Sequence, residues 1–558
     1  MSNIKKQPSR AQISRSAIQR LHISMRHLFL RGSYKPLGAS GEAMIKAMLS
    51  LQPEIYGSIA NPERVELSGL LYIFQRLPIG IEQCRFVKLI SREGLQNSDF
   101  HPIIPAKRRR NCYRIDEEQM FIEMTRGRSD IYDVLTHLTF MYIEAEKIRR
   151  NALDNKHRPN RDWQLLKEAV TKMDMGEDYN QEVGYTYLST LLGRSYEDVA
   201  SACKKFENAD QVNNLFKITY HLGKLSMQEF FDNNDREISF SVLLRQELGH
   251  HTYGERWAQR IKRTLVDMDL IDHEIHVISA NMHSVMNSLY AIEAVGKEQK
   301  ITELEDLAEV LSQDRNAGLR DRVKKYAQKH GMVQLNDDSG TNIAIQIIDL
   351  KRIGHVVKEY PNVGNKIILV MDYAFGEQAY ESMDELLKPY EAENQKIPVD
   401  VRSINIMGKA GILEGQKGDI MVPNAHVFEG SADNYPFDNQ LAGADFKDCG
   451  LDIFSGGPMI TVLGTSLQNK DILRYFKDSS WGAIGLEMEG AHYQKAIQAA
   501  SKIRNSVDPK KLQLRYAYYA SDNPLETGAT LASGSLGMDG VKPTYAITKA
   551  ILNGILNS

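Results

Sequence analysis

Cysteine is scarce in this chain, and the four that occur (Cys84, Cys112, Cys203 and Cys449) are too scattered for a disulfide framework or a CxxC metal site. No apolar run approaches the roughly eighteen residues a membrane-spanning helix needs, so no membrane partner is expected. An apolar signal segment near the N-terminus is also missing, and with so little cysteine a cytoplasmic setting fits best. The histidines carry no metal signature. His250 and His251 after Glu247, and His273, His276 and His283 further on, match no ligand spacing such as HExxH, so neither a metal nor an organic cofactor is expected. Tryptophan is limited to Trp163, Trp257 and Trp481, which read as packing residues. Fixed-period repeats and low-complexity segments are absent as well.

Acidic residues are missing from the start of the chain: none precedes Glu42, while Lys5, Lys6, Arg10, Arg15, Arg20, Arg26, Arg31 and Lys35 all do. This basic arm, residues 1–40, has three readings: an anion or nucleic-acid contact, an organelle transit peptide, or a partly helical leader that packs on a partner subunit. The last is preferred, and nucleic acid is not expected as a partner. Arg108-Arg109-Arg110 is similarly open.

With 558 residues, 42% of them hydrophobic, two or more domains are expected, each with a real interior. Residues 41–335 read as mainly helical. Ser129-Asp130 is placed to cap a helix carrying Ile131, Val134, Leu135, Leu138, Tyr142, Ala145 and Ile148 on one face. Further helices are expected at 162–174, 191–206, 256–270, 275–294 and 302–329. The polar, turn-rich stretch Gln334 to Gly340 marks the boundary. Beyond it, in residues 341–558, short apolar runs (Ile343 to Ile348, Ile367 to Met371, Val401 to Met407, Ile420 to Val422, Ile460 to Leu463, Ile484 to Met488, Leu514 to Ala520) alternate with amphipathic stretches. The fold class is therefore an α/β C-terminal domain, a mostly parallel sheet covered by helices on both faces, preceded by a mainly helical domain. Ligands of such sheets collect at the carboxyl ends of strands.

Two carboxylates sit at such ends. In Leu486-Glu487-Met488-Glu489-Gly490, Glu489 follows a buried strand, and an ionised carboxylate accepts from two donors at once, as a ribose diol requires. Met488 would offer a soft apolar surface beneath the sugar. An acidic first turn stabilising a helix start is the plainer alternative. In Ser521-Asp522-Asn523-Pro524-Leu525, Asp522 leaves the next strand. A purine departs from its sugar as an anion unless N7 is protonated, and an aspartic acid shielded from water suits that task. An Asx turn before Pro524 is its plainer reading. A glycine turn at Gly408-Lys409-Ala410-Gly411, then Gly418-Asp419, would let backbone N–H groups approach a sugar or an anion.

On these motifs, residues 341–558 resemble the purine nucleoside phosphorylase and nucleosidase superfamily, and within it the AMP nucleosidase family, whose Ser-Asp-x-Pro-Leu is similar to Ser521 to Leu525. The resemblance implies a nucleoside phosphorylase-like fold, with a mixed central sheet flanked by helices, and hydrolysis of the N-glycosidic bond of a purine nucleotide or nucleoside, AMP first. It implies that Asp522 protonates the base, with Ser521 beside it. Met488 and Glu489 would bind ribose, Gly408, Lys409, Ala410 and Gly411 would line the sugar and nucleophile site, and Gly376 would lie in a loop beneath the ribose. Leu467 and Gln468 occupy the position of the family's base contacts, and self-association into a homo-oligomer is implied. The chain departs from the pattern at Lys409, where small hydroxyl residues or histidine are common, and at Ile412, where glycine is usual. A Gly-Asp-Pro-x-Arg phosphate loop is missing and arginines are sparse near the motifs, which favours water over phosphate as nucleophile. Two alternatives remain open: a phosphate-dependent phosphorylase, and a non-catalytic nucleotide sensor or scaffold.

Overall fold

A computed structural model describes residues 7–209, 213–392, 395–526 and 536–558. The chain divides into two compact units. The first comprises residues up to Thr125, Asp130–His250 and Ser466–Ile472; the second comprises Arg126–Ser129, His251–Thr465 and Leu473–Ser558. The division therefore falls near residue 250, well before the polar stretch at 334–340.

In the first unit, the basic arm is a packed helix. Arg10–Arg31 begins with a capping box between Ser9 and Gln12 and ends at Gly32 in the left-handed region. Ala17, Ile18, Leu21, Met25, Leu28 and Phe29 are buried along one face. The Arg10 guanidinium donates to the carbonyls of Ser50 (2.6 Å) and Leu51 (2.9 Å). The apolar stripe is thus covered within its own unit, while Lys5 and Lys6 lie outside the described residues.

This unit is also less helical than its sequence suggests, because it holds a five-stranded sheet. Its strands, in spatial order Ser33–Tyr34, Glu237–Phe240, Phe86–Ile90, Gln119–Glu123 and Cys112–Arg114, are only two to five residues long. Runs that short give alternation too little length to register. The helix expected over 191–206 is broken by Gly193 in the left-handed region, giving Gln181–Leu192 and Tyr196–Glu207.

The second unit is α/β, built on a mixed twelve-stranded sheet. Its centre is the long strand Val401–Ile412. One edge of that strand pairs in parallel with Gln513–Asp522. The other pairs in parallel with Glu274–Ser279 and, at Gly411 and Ile412, antiparallel with Gly485–Glu487. Glu274–Ser279 pairs in turn with Lys366–Met371. The helix expected over 275–294 is thereby corrected: its first residues, rich in β-branched side chains, form a strand with a parallel partner on each side, and the helix Met282–Ala291 follows.

Side chains of the central strands alternate between two cores. Ile367, Leu369 and Met371 belong to one with Met383, Leu387, Tyr493 and Ile497; Ile368 and Val370 belong to the other with Leu289, Leu311, Ile547 and Ile551. Helices thus cover both faces, which leaves the strand ends as the place where polar side chains converge. Among the described residues no helix is long and apolar enough to cross a membrane.

Candidate active site

The strand Val401–Ile412 brings the two carboxylate motifs together. Gly411 has Asp522 as its register partner on one edge and Leu486 on the other. With neighbouring strands about 4.8 Å apart, Asp522 and Leu486 are separated by roughly 10 Å of backbone. The turn that follows Leu486 carries Glu489.

That turn is set by Glu487, which is 4% exposed. One carboxylate oxygen accepts the Thr461 hydroxyl, and the other accepts the backbone N–H groups of Glu489 and Gly490. The Thr461 hydroxyl oxygen also accepts the Ala491 N–H (2.8 Å). Glu487 therefore satisfies donors at the start of the helix Gly490–Gln498, the work of a capping residue. A side chain on Gly490 is excluded, since a Cβ there would lie 2.1 Å from the His426 ring.

Glu489 points the other way and remains partly exposed. Its Oε1 accepts the Gly376 N–H (2.9 Å) and its Oε2 the Met488 N–H (3.3 Å). Burial pushes its carboxyl up to about 7, against the pull of those donors and of the nearby Arg126 charge. Burial, together with repulsion from Glu489, pushes Glu487 up to about 8. Gly376 has to be glycine: its φ is +55°, and a Cβ would meet the Ser129 hydroxyl at 2.4 Å.

Glu489 lines a cavity of about 250 Å³ with Ser279, Gly408, Lys409 and four tyrosines, Tyr373, Tyr493, Tyr518 and Tyr519. The Tyr493 hydroxyl is 3.0 Å from Ser279 Oγ. Tyr518 O–H meets His426 Nε2 at 2.9 Å, and burial pushes that imidazole down to about 3, so it is neutral. Lys409 and Tyr519 are shared with an adjoining chamber of about 350 Å³ lined also by Asn281, His283 and Arg320. Asp522 is the last residue of its strand and 8% exposed. The Ser521 hydroxyl lies within reach of Asp522 Oδ1 (2.5 Å) and the Ala410 carbonyl (3.0 Å). The charge of Asp522 acts on Lys409, whose ammonium burial pushes down in pKa while Asp522 pulls it up.

Several sequence expectations are redrawn. Gly408, Lys409, Ala410 and Gly411 form no turn: all four belong to the strand Val401–Ile412. Gly408 is small because the Tyr518 ring would lie 2.7 Å from its Cβ. Met488 flanks Gly376 and is absent from the cavity lining, as are Gly376, Ala410, Gly411, Ser521 and Asp522; of the expected site residues, Gly408, Lys409 and Glu489 line it. Leu467 and Gln468 belong to the first unit, where the Gln468 carbonyl accepts the Glu54 N–H (2.9 Å), and neither lines the cavity. The four tyrosines escape sequence reading because aromatic residues in a strand (Tyr518, Tyr519), a helix (Tyr493) or the loop after a strand (Tyr373) look like packing residues. Arg126 escapes it too. It lies far from the motifs in sequence, yet its guanidinium sits 5.0 Å from the centre of the Phe375 ring and its charge reaches Glu489.

One cluster of the second unit has metal-ligand chemistry: His251, Asp384 and Glu385 hold ligand atoms within 4.8 Å of one another. Cations already occupy it. Lys388 pairs with Glu385 (2.6 Å) and Arg504 with Asp384 (2.8 Å). These neutralise the charge that a divalent ion would need.

Residues 42–310 and 307–557 match the profile of a family described as "Family of unknown function (DUF6909)", and the chain belongs to that family. No curated protein matches the sequence. Among solved structures it is similar to the 5'-methylthioadenosine/S-adenosyl homocysteine nucleosidase of Campylobacter jejuni, with TM-score 0.30 and 12% identity over 51% of this chain and 97% of that one. A second is a futalosine hydrolase mutant of Helicobacter pylori, with TM-score 0.29 and 12% identity over 50% and 99%. A third is isoform 2 of uridine phosphorylase from Schistosoma mansoni, with TM-score 0.30 and 11% identity over 51% and 88%.

Proposed function

We propose that the second unit, nucleoside phosphorylase-like in fold, hydrolyses the N-glycosidic bond of a purine nucleotide or nucleoside, with AMP as lead substrate. The observation that carries this reading is the shared register of Asp522 and Leu486 on the two edges of one strand, the turn after Leu486 carrying Glu489, which opens into a tyrosine-lined cavity. Glu489, ionised, accepts the two ribose hydroxyls. Asp522 donates its proton to purine N7, so the base leaves neutral as the C1′–N9 bond breaks. Water adds its oxygen to C1′ and gives up a proton, which restores the acid. Ser521 orients the Asp522 carboxyl, and Lys409 meets the substrate's 5′-phosphate. Positioning and electrostatics supply the rate, so no cofactor enters the scheme. The active form is a homo-oligomer.

A phosphate-dependent reaction is the second reading, and Arg126 is the observation that favours it, since it places an arginine beside Glu489 where the motifs themselves have few. Chromatography of AMP, adenosine, inosine and methylthioadenosine after incubation, with and without inorganic phosphate, separates the readings. Free base without phosphate is the expected result. Ribose 1-phosphate formed only with phosphate would identify a phosphorylase, and binding without product would identify a sensor. Lys409→Ala should lower use of AMP relative to adenosine; an unchanged ratio would remove the lysine from the phosphate role.

A further inference from the structure

The segment Arg126-Gly127-Arg128-Ser129 takes no part in that scheme, yet its residues meet the loop under Glu489 nearly one for one. The Ser129 hydroxyl accepts the Glu377 N–H at 2.8 Å. Arg128 pairs with Glu377 at 3.5 Å. Gly127, at φ +78°, lies so close that a Cβ would be 3.2 Å from the Gln378 nitrogen. Arg126 lies over Phe375 at 5.0 Å. Between those contacts, the Gly376 N–H donates to Glu489 at 2.9 Å. All of these residues belong to the second unit.

We propose that Arg126–Ser129 is a strap that fixes the Phe375–Gln378 loop against Glu489, with the Arg126 guanidinium as the counter-charge that favours ionisation of this carboxyl and aims it at the sugar diol. The inference rests on the diol-binding role assigned to Glu489 above. The groups around Glu489 show why a counter-charge matters. Glu487 shares its turn and, pushed up to about 8, still holds its proton where Glu489 begins to ionise, and Tyr493 and Tyr518, from the neighbouring helix and strand, line the same cavity as neutral phenols. Lys409 lines the same cavity and is exposed. Burial holds the proton on Glu489 up to about 7, and the Arg126 charge opposes it. A carboxyl that keeps its proton loses the ability to accept two hydroxyls symmetrically. Arg126 is thus a positioning residue acting through Glu489.

The test is a carbon-13 titration of the full-length protein with labelled glutamate carboxyls, the Glu489 signal being the one lost in Glu489→Gln. In Arg126→Ala its proton affinity should rise about twofold or more, while Arg126→Lys should keep it near the wild-type value. In the same variants, the pH above which KM for AMP falls should move upward for Arg126→Ala only, with kcat changed far less. An unshifted Glu489 in Arg126→Ala, or equal shifts in both variants, would overturn the counter-charge role. The titration needs no turnover. If no substrate releases base while the Glu489 signal still moves, the glycosidase reading falls and the strap stands.

Discussion

Both units bury carboxylates against cations, and the contrast between the two places shows what separates a structural charge cluster from a candidate site. In the first unit, Asp133 accepts from Arg108 (2.8 Å) and Arg110 (2.5 Å) and lies 3.2 Å from His137, whose Nδ1 meets the Tyr56 hydroxyl at 3.1 Å. Asp130 pairs with Arg110 at 2.8 Å. The Arg108 charge leads those that hold Asp133 well below the usual carboxylate range despite its burial, and burial pushes His137 down. An Asp–His–Tyr chain of this kind looks like a proton relay, but His137 is fully buried and Arg110 is 3% exposed. In the second unit Glu489 is perturbed as well, yet it opens into a cavity with Lys409 and the tyrosines. Perturbed titration is common to both clusters; access distinguishes them.

The largest effect that would test this contrast is in the sealed cluster. Asp133→Ala removes the carboxylate shared by the half-buried Arg108 and the buried Arg110, leaving Arg110 with Asp130, and should cost about 3 kcal/mol in denaturant unfolding. Turnover per folded molecule should not change; a specific loss of activity would mean that the cluster takes part in chemistry. Asp522→Asn should do the reverse, cutting turnover about a hundredfold, or ~2.7 kcal/mol, with an unfolding midpoint near wild type. Full activity in that variant would remove the acid from its role. Gly376→Ala forces a side chain into the left-handed region, at about 1–2 kcal/mol, and pushes on Ser129. Stability and KM should both worsen, and a variant with neither change would argue that the loop is slack. Glu489→Gln should raise KM about tenfold, in line with one charged hydrogen-bonding interaction, and should reduce kcat less than Asp522→Asn does.

The remaining test is a pH dependence. Glu381 is 3% exposed and burial pushes it up to about 8, with Glu377 adding repulsion. Because its folded value lies above the unfolded one near 4.5, the unfolded chain releases this proton first as pH rises. Stability should therefore fall between about pH 4.5 and 8. Glu381→Gln should flatten that slope in thermal melts across the range; an unchanged slope would mean that another group controls it.

Much of the second unit is legible in its sequence, because its strands are short apolar runs between amphipathic helices. Ile367 to Met371 and Ile420 to Val422 coincide with strands, and Leu514 to Ala520 falls within Gln513–Asp522. Glu274–Ser279 was hidden because its polar Glu274 and His276 break the apolar run, so the segment blends into the helix after it. The glycines at 408 and 411 signal close approach, and only coordinates distinguish a turn from a strand packed under Tyr518. Glu487 and Glu489 carry the same side chain two residues apart, and nothing in the sequence says which one caps the helix. Arg126 could not be assigned from sequence, since its relation to Glu489 is purely tertiary.

The most direct test of the central claim is the product balance of the wild-type protein acting on AMP in phosphate-free buffer. The account predicts adenine and ribose 5-phosphate in equal amounts, at a rate that added phosphate leaves unchanged and that Asp522→Asn lowers about a hundredfold. Base release that depends on added phosphate, or that survives intact in Asp522→Asn, would contradict it.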